Sequence, residues 1–216
     1  IISDMDKKIQ SAKKDYQKAN KLALEGLQTE EESWSYRENW YEWLLKIAQE
    51  QGNQANMVTW ARKLFLSSWN NREQYYQLLK KHVPKKEWKD YVERLLQEIE
   101  DTIIVDKTRI KAEVFIQEGY NDRLMGLLRQ TPDLANLETY DVYLARNHAP
   151  ELLQMYRRAI EIFAEVHTGR SNYQRIGQYI QRMKKIGGKA EARQLIADLK
   201  AAYPRRRALA EELDLL

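Results

Sequence analysis

The chain has 216 residues, of which 43% are hydrophobic and 31% charged; that is enough apolar material for a real core and too much for a disordered segment. A net charge of +4, from 36 basic and 32 acidic residues, is milder than the concentrated positive field of most nucleic-acid modules. There are no cysteines, so disulfides, thiolate zinc sites and cysteine nucleophiles are excluded.

Breakers are scarce, with 8 glycines and 4 prolines, and the one short β-branched run covers residues 102–105. An all-α fold is therefore predicted. No stretch reaches the ~20 apolar residues of a membrane span, and the opening segment has no apolar signal core. A bacterial, cytoplasmic protein without a membrane partner is the expectation. The chain begins at Ile1 rather than Met, which points to further sequence upstream.

A first helix is predicted over residues 3–27, because Met5, Ile9, Ala12, Tyr16, Ala19 and Ala23 form one narrow stripe close to a coiled-coil seam. Lys7, Lys8, Lys13 and Lys14 lie mostly off it. A second helix over 32–51 carries Tyr36, Trp40, Trp43, Leu44 and Ile47 on one face, and Gly52 supplies the left-handed residue that ends it. The third, over 54–69, presents Met57, Trp60, Ala61, Leu64 and Phe65, with Ala61 suited to a close helix approach. A fourth, over 71–82, carries Tyr75, Leu78 and Leu79 and is stopped by Pro84, which also opens a fifth helix with Trp88, Tyr91, Val92, Leu95, Leu96 and Ile99.

Residues 102–106 are the candidate joint between halves, since all six tryptophans precede them. No linker-like Gly, Ser or Pro cluster accompanies the shift, so one domain over 1–216 is expected, with a possible subdivision near 101–106. Further helices are predicted over 107–118 and 121–130. Leu134, Leu137, Tyr140, Tyr143 and Leu144 mark the next, with breaks at 131–133 and 147–150. Leu152, Leu153, Tyr156, Ala159, Ile160, Phe163 and Ala164 form a strong stripe ending near Gly169. A last hairpin sets Ile176, Tyr179, Ile180, Met183 and Ile186 against Ala192, Leu195, Ile196 and Leu199, and Pro204 opens a short helix holding Leu209 and Leu213.

Gly52, Gly119 and Gly187 each separate two amphipathic helices, and they are spaced by 67 and 68 residues. That is about two periods of a tetratricopeptide-like hairpin of roughly 34 residues. The expected architecture is an irregular α-solenoid, or tetratricopeptide-like superhelical array, of about 11–12 helices.

Reactive constellations are absent from the sequence. His82, His148 and His167 stand at no metal-ligand spacing, and there is no phosphate loop or nucleophile elbow. No catalytic residue, metal ligand or cofactor is assigned to this chain. The candidate contacts are Trp34 and Trp69, which sit poorly on their stripes, and a basic C-terminal group of Arg170, Arg182, Lys184, Lys185, Arg205, Arg206 and Arg207, with Arg175 nearby. Glu191, Asp198, Glu211 and Glu212 dilute that group.

The stretch over residues 110–213 also resembles the helical region that follows the zinc-binding motif in bacterial SWIM zinc-finger family proteins. The residues that carry the resemblance are AEVFIQEGYNDRLMGLL and LETYDVYLARNHAPELLQMYRRAIEIFAEVHTGRSNYQRIGQYIQRMKKIGG, with Trp60 to Phe65 similar to an earlier part. The resemblance implies an upstream CxCx(n)CxH zinc module with a nucleic-acid-related or protein-binding role. Zinc is implied for that module alone, because this chain has no cysteine. The function expected is a non-enzymatic scaffold that binds a protein or peptide, or another part of its own parent. The alternative is direct nucleic-acid binding through the C-terminal basic region.

Overall fold

The computed structural model describes residues 16–29, 34–68, 71–102 and 106–216. The described residues are all-α, as predicted, with eleven α-helices and one 3-10 turn. The chain divides into two compact units, Ile1–Lys111 and Ala112–Leu216.

The first unit holds α1 (Tyr16–Thr29), α2 (Trp34–Glu50), α3 (Gln54–Ser67), α4 (Arg72–His82), a 3-10 turn (Lys85–Glu87), α5 (Trp88–Asp101) and the start of α6 (Lys107–Glu118). Consecutive helices pack on one another, α1 on α2, α2 on α3 and α3 on α4, so that apolar faces meet apolar faces. Ala19 and Ala23 meet Trp40, Leu44 and Ile47 in one cluster. The approach is close: a Cβ on Gly26 would stand 2.6 Å from the Trp40 ring. Phe65, Tyr76 and Trp88 then follow one another at ring spacings of 5.4 and 5.5 Å. Tyr76 is wholly buried at the centre of that row, although the predicted α4 stripe omitted it. Residues 3–15 of the predicted first helix lie outside the described residues.

The second unit continues with α7 (Asn121–Gln130), α8 (Leu134–Val166), α9 (Arg170–Lys185), α10 (Lys189–Ala202) and α11 (Arg207–Asp214). Helix α9 packs against α8, α10 and α11 and buries Tyr173, Ile176, Tyr179, Ile180 and Met183.

The three glycine turns share one construction. At Gly52, Gly119 and Gly187 φ is +63°, +68° and +103°, and the residue after each glycine donates its N–H back to Ala48, Phe115 or Met183. This is the Schellman geometry, in which a residue without Cβ enters the left-handed region and satisfies the last carbonyls of the helix.

The break expected over 147–150 is made by a single residue. Inside α8 only His148 leaves helical geometry, at φ −126° and ψ 20°. The chain nevertheless folds back there. In a straight helix residues fifteen apart would stand about 22 Å apart, yet the Tyr156 hydroxyl lies 2.8 Å from the Asp141 carboxylate. Residues 134–147 and 149–166 are thus two arms of a hairpin. Pro150 falls in the first turn of the second arm, where its missing N–H costs no helical bond.

Candidate functional site

The two arms of α8 build the site. Asp133 caps the first arm, its carboxylate accepting from the Asn136 N–H at 2.9 Å, and this fixes the loop over residues 131–134. The second arm has two apolar faces. Leu152, Leu153, Tyr156, Ile160 and Ala164 are buried in the unit, and so is the small Ala159 between the two faces. Met155, Ala159, Ile162 and Val166 recur at helical spacing on a different face. Ile162 is 53% exposed and Val166 70% exposed.

Two adjoining hollows run beside that second face. One, of about 510 Å³, is lined by residues 131–134, Ala159, Ile162, Phe163, Val166 and His167. The other, of about 500 Å³, adds Arg129, Glu151 and Arg158 at its rim. Pro132, Ala159 and Ile162 line both, so the hollows form one groove. His167 packs on Phe163 at 4.2 Å between centroids, and the Arg175 guanidinium covers the same phenyl ring at 5.6 Å. Arg129 grips Glu151 through two parallel bonds of 2.6 and 2.8 Å, a pair that holds the Glu151 carboxyl below its usual range. The groove is apolar along its floor; of the polar residues that line it, Asp133 accepts from the Asn136 N–H and the Thr131 hydroxyl donates to the Leu127 carbonyl. Chemically it can sequester an apolar side chain or a helix ridge.

A buried carboxylate in the first arm locks the hairpin to α9. Asp141 is 3% exposed. It accepts from Tyr156, and from Arg182 through Nε at 3.0 Å and Nη2 at 2.9 Å. Arg182 Nη2 also donates to the Glu138 carbonyl at 2.6 Å. Burial, and then the bond to Asp141, push the Tyr156 hydroxyl well above its ordinary pKa.

The sequence candidates are scattered by the structure. Arg182 is taken up by Asp141 and Glu138. Arg170 pairs with Glu211 and Glu212. Lys184 donates to the Leu216 backbone oxygen at 2.6 Å. Arg206 donates to the Ala164 carbonyl in the last turn of α8 and stacks on Tyr203 at 3.9 Å, which places a cation at the negative end of that helix. Lys185, Arg205 and Arg207 are exposed. Trp34 opens α2, but its side chain, like the whole of Trp69, lies outside the described residues.

Sequence reasoning missed Ile162 and Val166. The signal was present: both are apolar, stand four residues apart on one helix, and fall off the stripe assigned to the core. Among the described residues no group of three or more His, Cys, Asp or Glu could hold a metal ion, and no helix is long and apolar enough to cross a membrane. No protein-family model, curated protein or solved structure matches the chain.

Proposed function

We propose that this chain is a non-enzymatic helical scaffold whose α8 groove takes an apolar segment of another polypeptide. One observation carries the reading: Ile162 and Val166 stand exposed beside a groove whose floor is already apolar. Exposed aliphatic side chains cost free energy in water, roughly 25 cal/mol per Å², and a contiguous pair over a hollow marks an interaction surface more than a pair scattered singly.

The finer architecture belongs to the same proposal. The turn at Pro84 falls near the midpoint of the Gly52–Gly119 interval, and the turn at His148 divides the Gly119–Gly187 interval less evenly. Hairpins close to the 34-residue length of tetratricopeptide-like repeats support an irregular helical-repeat domain over 1–216. The sequence resemblance supports placing it as the C-terminal helical part of a SWIM-type zinc-finger protein, with any nucleic-acid role carried by the upstream module.

Two experiments test this. A photocrosslinking residue at Ile162 in the intact protein in its host is expected to capture a polypeptide, while the same probe at Lys185 captures none. Equal labelling at both positions sinks the groove. The reading frame upstream of Ile1 tests the family: a CxCx(n)CxH module there is expected, and its absence ends that assignment.

A further inference from the structure

The groove is self-complementary, and we propose that its occupant is a second copy of this chain, paired antiparallel through the second arm of α8. The inference rests on the groove reading above and goes further by naming the partner. Each copy offers both halves of a contact. Ile162 and Val166 project as knobs. The hollows lined by Pro132, Ala159 and Phe163 beside them are the holes. An isologous dimer requires this of one surface: it must present a patch and also receive it.

Charge fixes the direction. Arg158 and Glu165 flank Ile162, four residues before it and three after. They are seven residues apart, close to two helical turns, so they project from the same side of the arm with about 10 Å between them. Both are exposed, and neither makes an ion pair or hydrogen bond among the described residues. A two-fold axis midway between residues 158 and 165, beside Ile162, brings Arg158 of each copy opposite Glu165 of the other and forms two ion pairs. A parallel pairing in register would instead set Arg158 against Arg158 and Glu165 against Glu165, which is repulsive. Ala159, buried at the groove floor beside the axis, leaves the hollow that receives the partner's Ile162. Glu161 lies further round the helix and is held by Arg157 at 3.0 Å, so it does not compete for Arg158.

The test is a charge swap on the whole chain, read by sedimentation equilibrium. Wild type is expected to show a concentration-dependent dimer. Arg158→Glu and Glu165→Arg, each measured alone, turn both ion pairs into repulsions and should weaken the dimer at least tenfold. The double variant R158E/E165R reverses both signs and should recover wild-type affinity to within about threefold. Mixing the two single variants should give a 1:1 heterodimer, because every pair is then attractive. Both side chains are exposed, and helicity by circular dichroism checks that each variant folds. A wild-type chain that stays monomeric at several hundred micromolar overturns the proposal, and so does a dimer indifferent to the single reversals. Crosslinks from Ile162 only to a different polypeptide overturn self-pairing and leave the scaffold reading standing; no polypeptide crosslink at all sinks both.

Discussion

Tyr156 and Asp141 meet hydroxyl to carboxylate at 2.8 Å across the fold-back at His148, and this bond closes the α8 hairpin. The same carboxylate is forked by Arg182 from α9, so three segments converge on one buried charge. A buried ion pair contributes little net stability when intact, but removing one partner strands the other.

Arg182→Met should therefore destabilise more than Tyr156→Phe. We expect about 3 kcal/mol for the first, at the low end for buried pairs because Arg182 is partly exposed, and about 1–2 kcal/mol for the second, the loss of one bond to a charged group. Adding Asp141→Asn to Arg182→Met should recover part of the loss. Urea unfolding of the four proteins measures this, and an equal loss from both single variants would show that Arg182 does not neutralise Asp141.

Glycine substitutions should split by position. A Cβ on Gly188 would lie 2.2 Å from Leu153 Cδ2, so Gly188→Ala presses the α9–α10 turn off α8 and should cost about 1–3 kcal/mol. Gly126 lies within α7 with nothing within 4 Å of its would-be Cβ, so Gly126→Ala should stabilise by about 0.5–1 kcal/mol. Thermal denaturation with opposite shifts in Tm is the expected outcome.

Stability should fall at both ends of the pH scale. Burial, together with the bond to Glu42 or to Asp141, raises the hydroxyls of Tyr75 and Tyr156, and burial pushes Tyr91 up to about 12. Their folded values exceed the unfolded value near ~10. Their contribution is thus complete below pH ~10 and is lost as pH rises through the folded values. The carboxyls of Glu151 and Asp198 are lowered, Glu151 by its bond to Arg129 and Asp198 by bonds to Arg157 and Gln194. Their contribution is present above pH ~4 and is lost as pH falls through the depressed values. Urea midpoints against pH should show both limbs. Glu151→Gln with Asp198→Asn should shallow the acid limb only, and slightly, because both groups are open to solvent.

Nucleic-acid binding through the C-terminal cations should be weak and only moderately salt-dependent. With Lys185, Arg205 and Arg207 exposed, and Arg170 exposed but paired with Glu211 and Glu212, the slope of log K against log salt should be no steeper than about −3. Fluorescence anisotropy with a labelled duplex measures it. A steeper slope would mean that Arg170 or Arg206 leaves its internal partner.

Much of the fold was legible because its signals are local. A glycine between two amphipathic runs announces a left-handed helix end, and Gly52, Gly119 and Gly187 all adopt it. Apolar spacing of three and four marked the buried faces of α5 and α9, since one helix turn alone decides which residues share a face. The fold class followed from those runs and the shortage of breakers.

What tertiary structure alone decided depends on residues far apart in sequence. Arg182 and Lys185 look alike as letters, yet one is bound to Asp141 and the other is exposed, because the deciding carboxylate is 41 residues away. The buried place of Tyr76 depends on rings from α3 and α5. Ile162 and Ile160 are the same residue two positions apart; one lines the groove and the other the core. Periodicity shows that a helix has two apolar faces, but only the packing of α7 to α11 determines which face is covered.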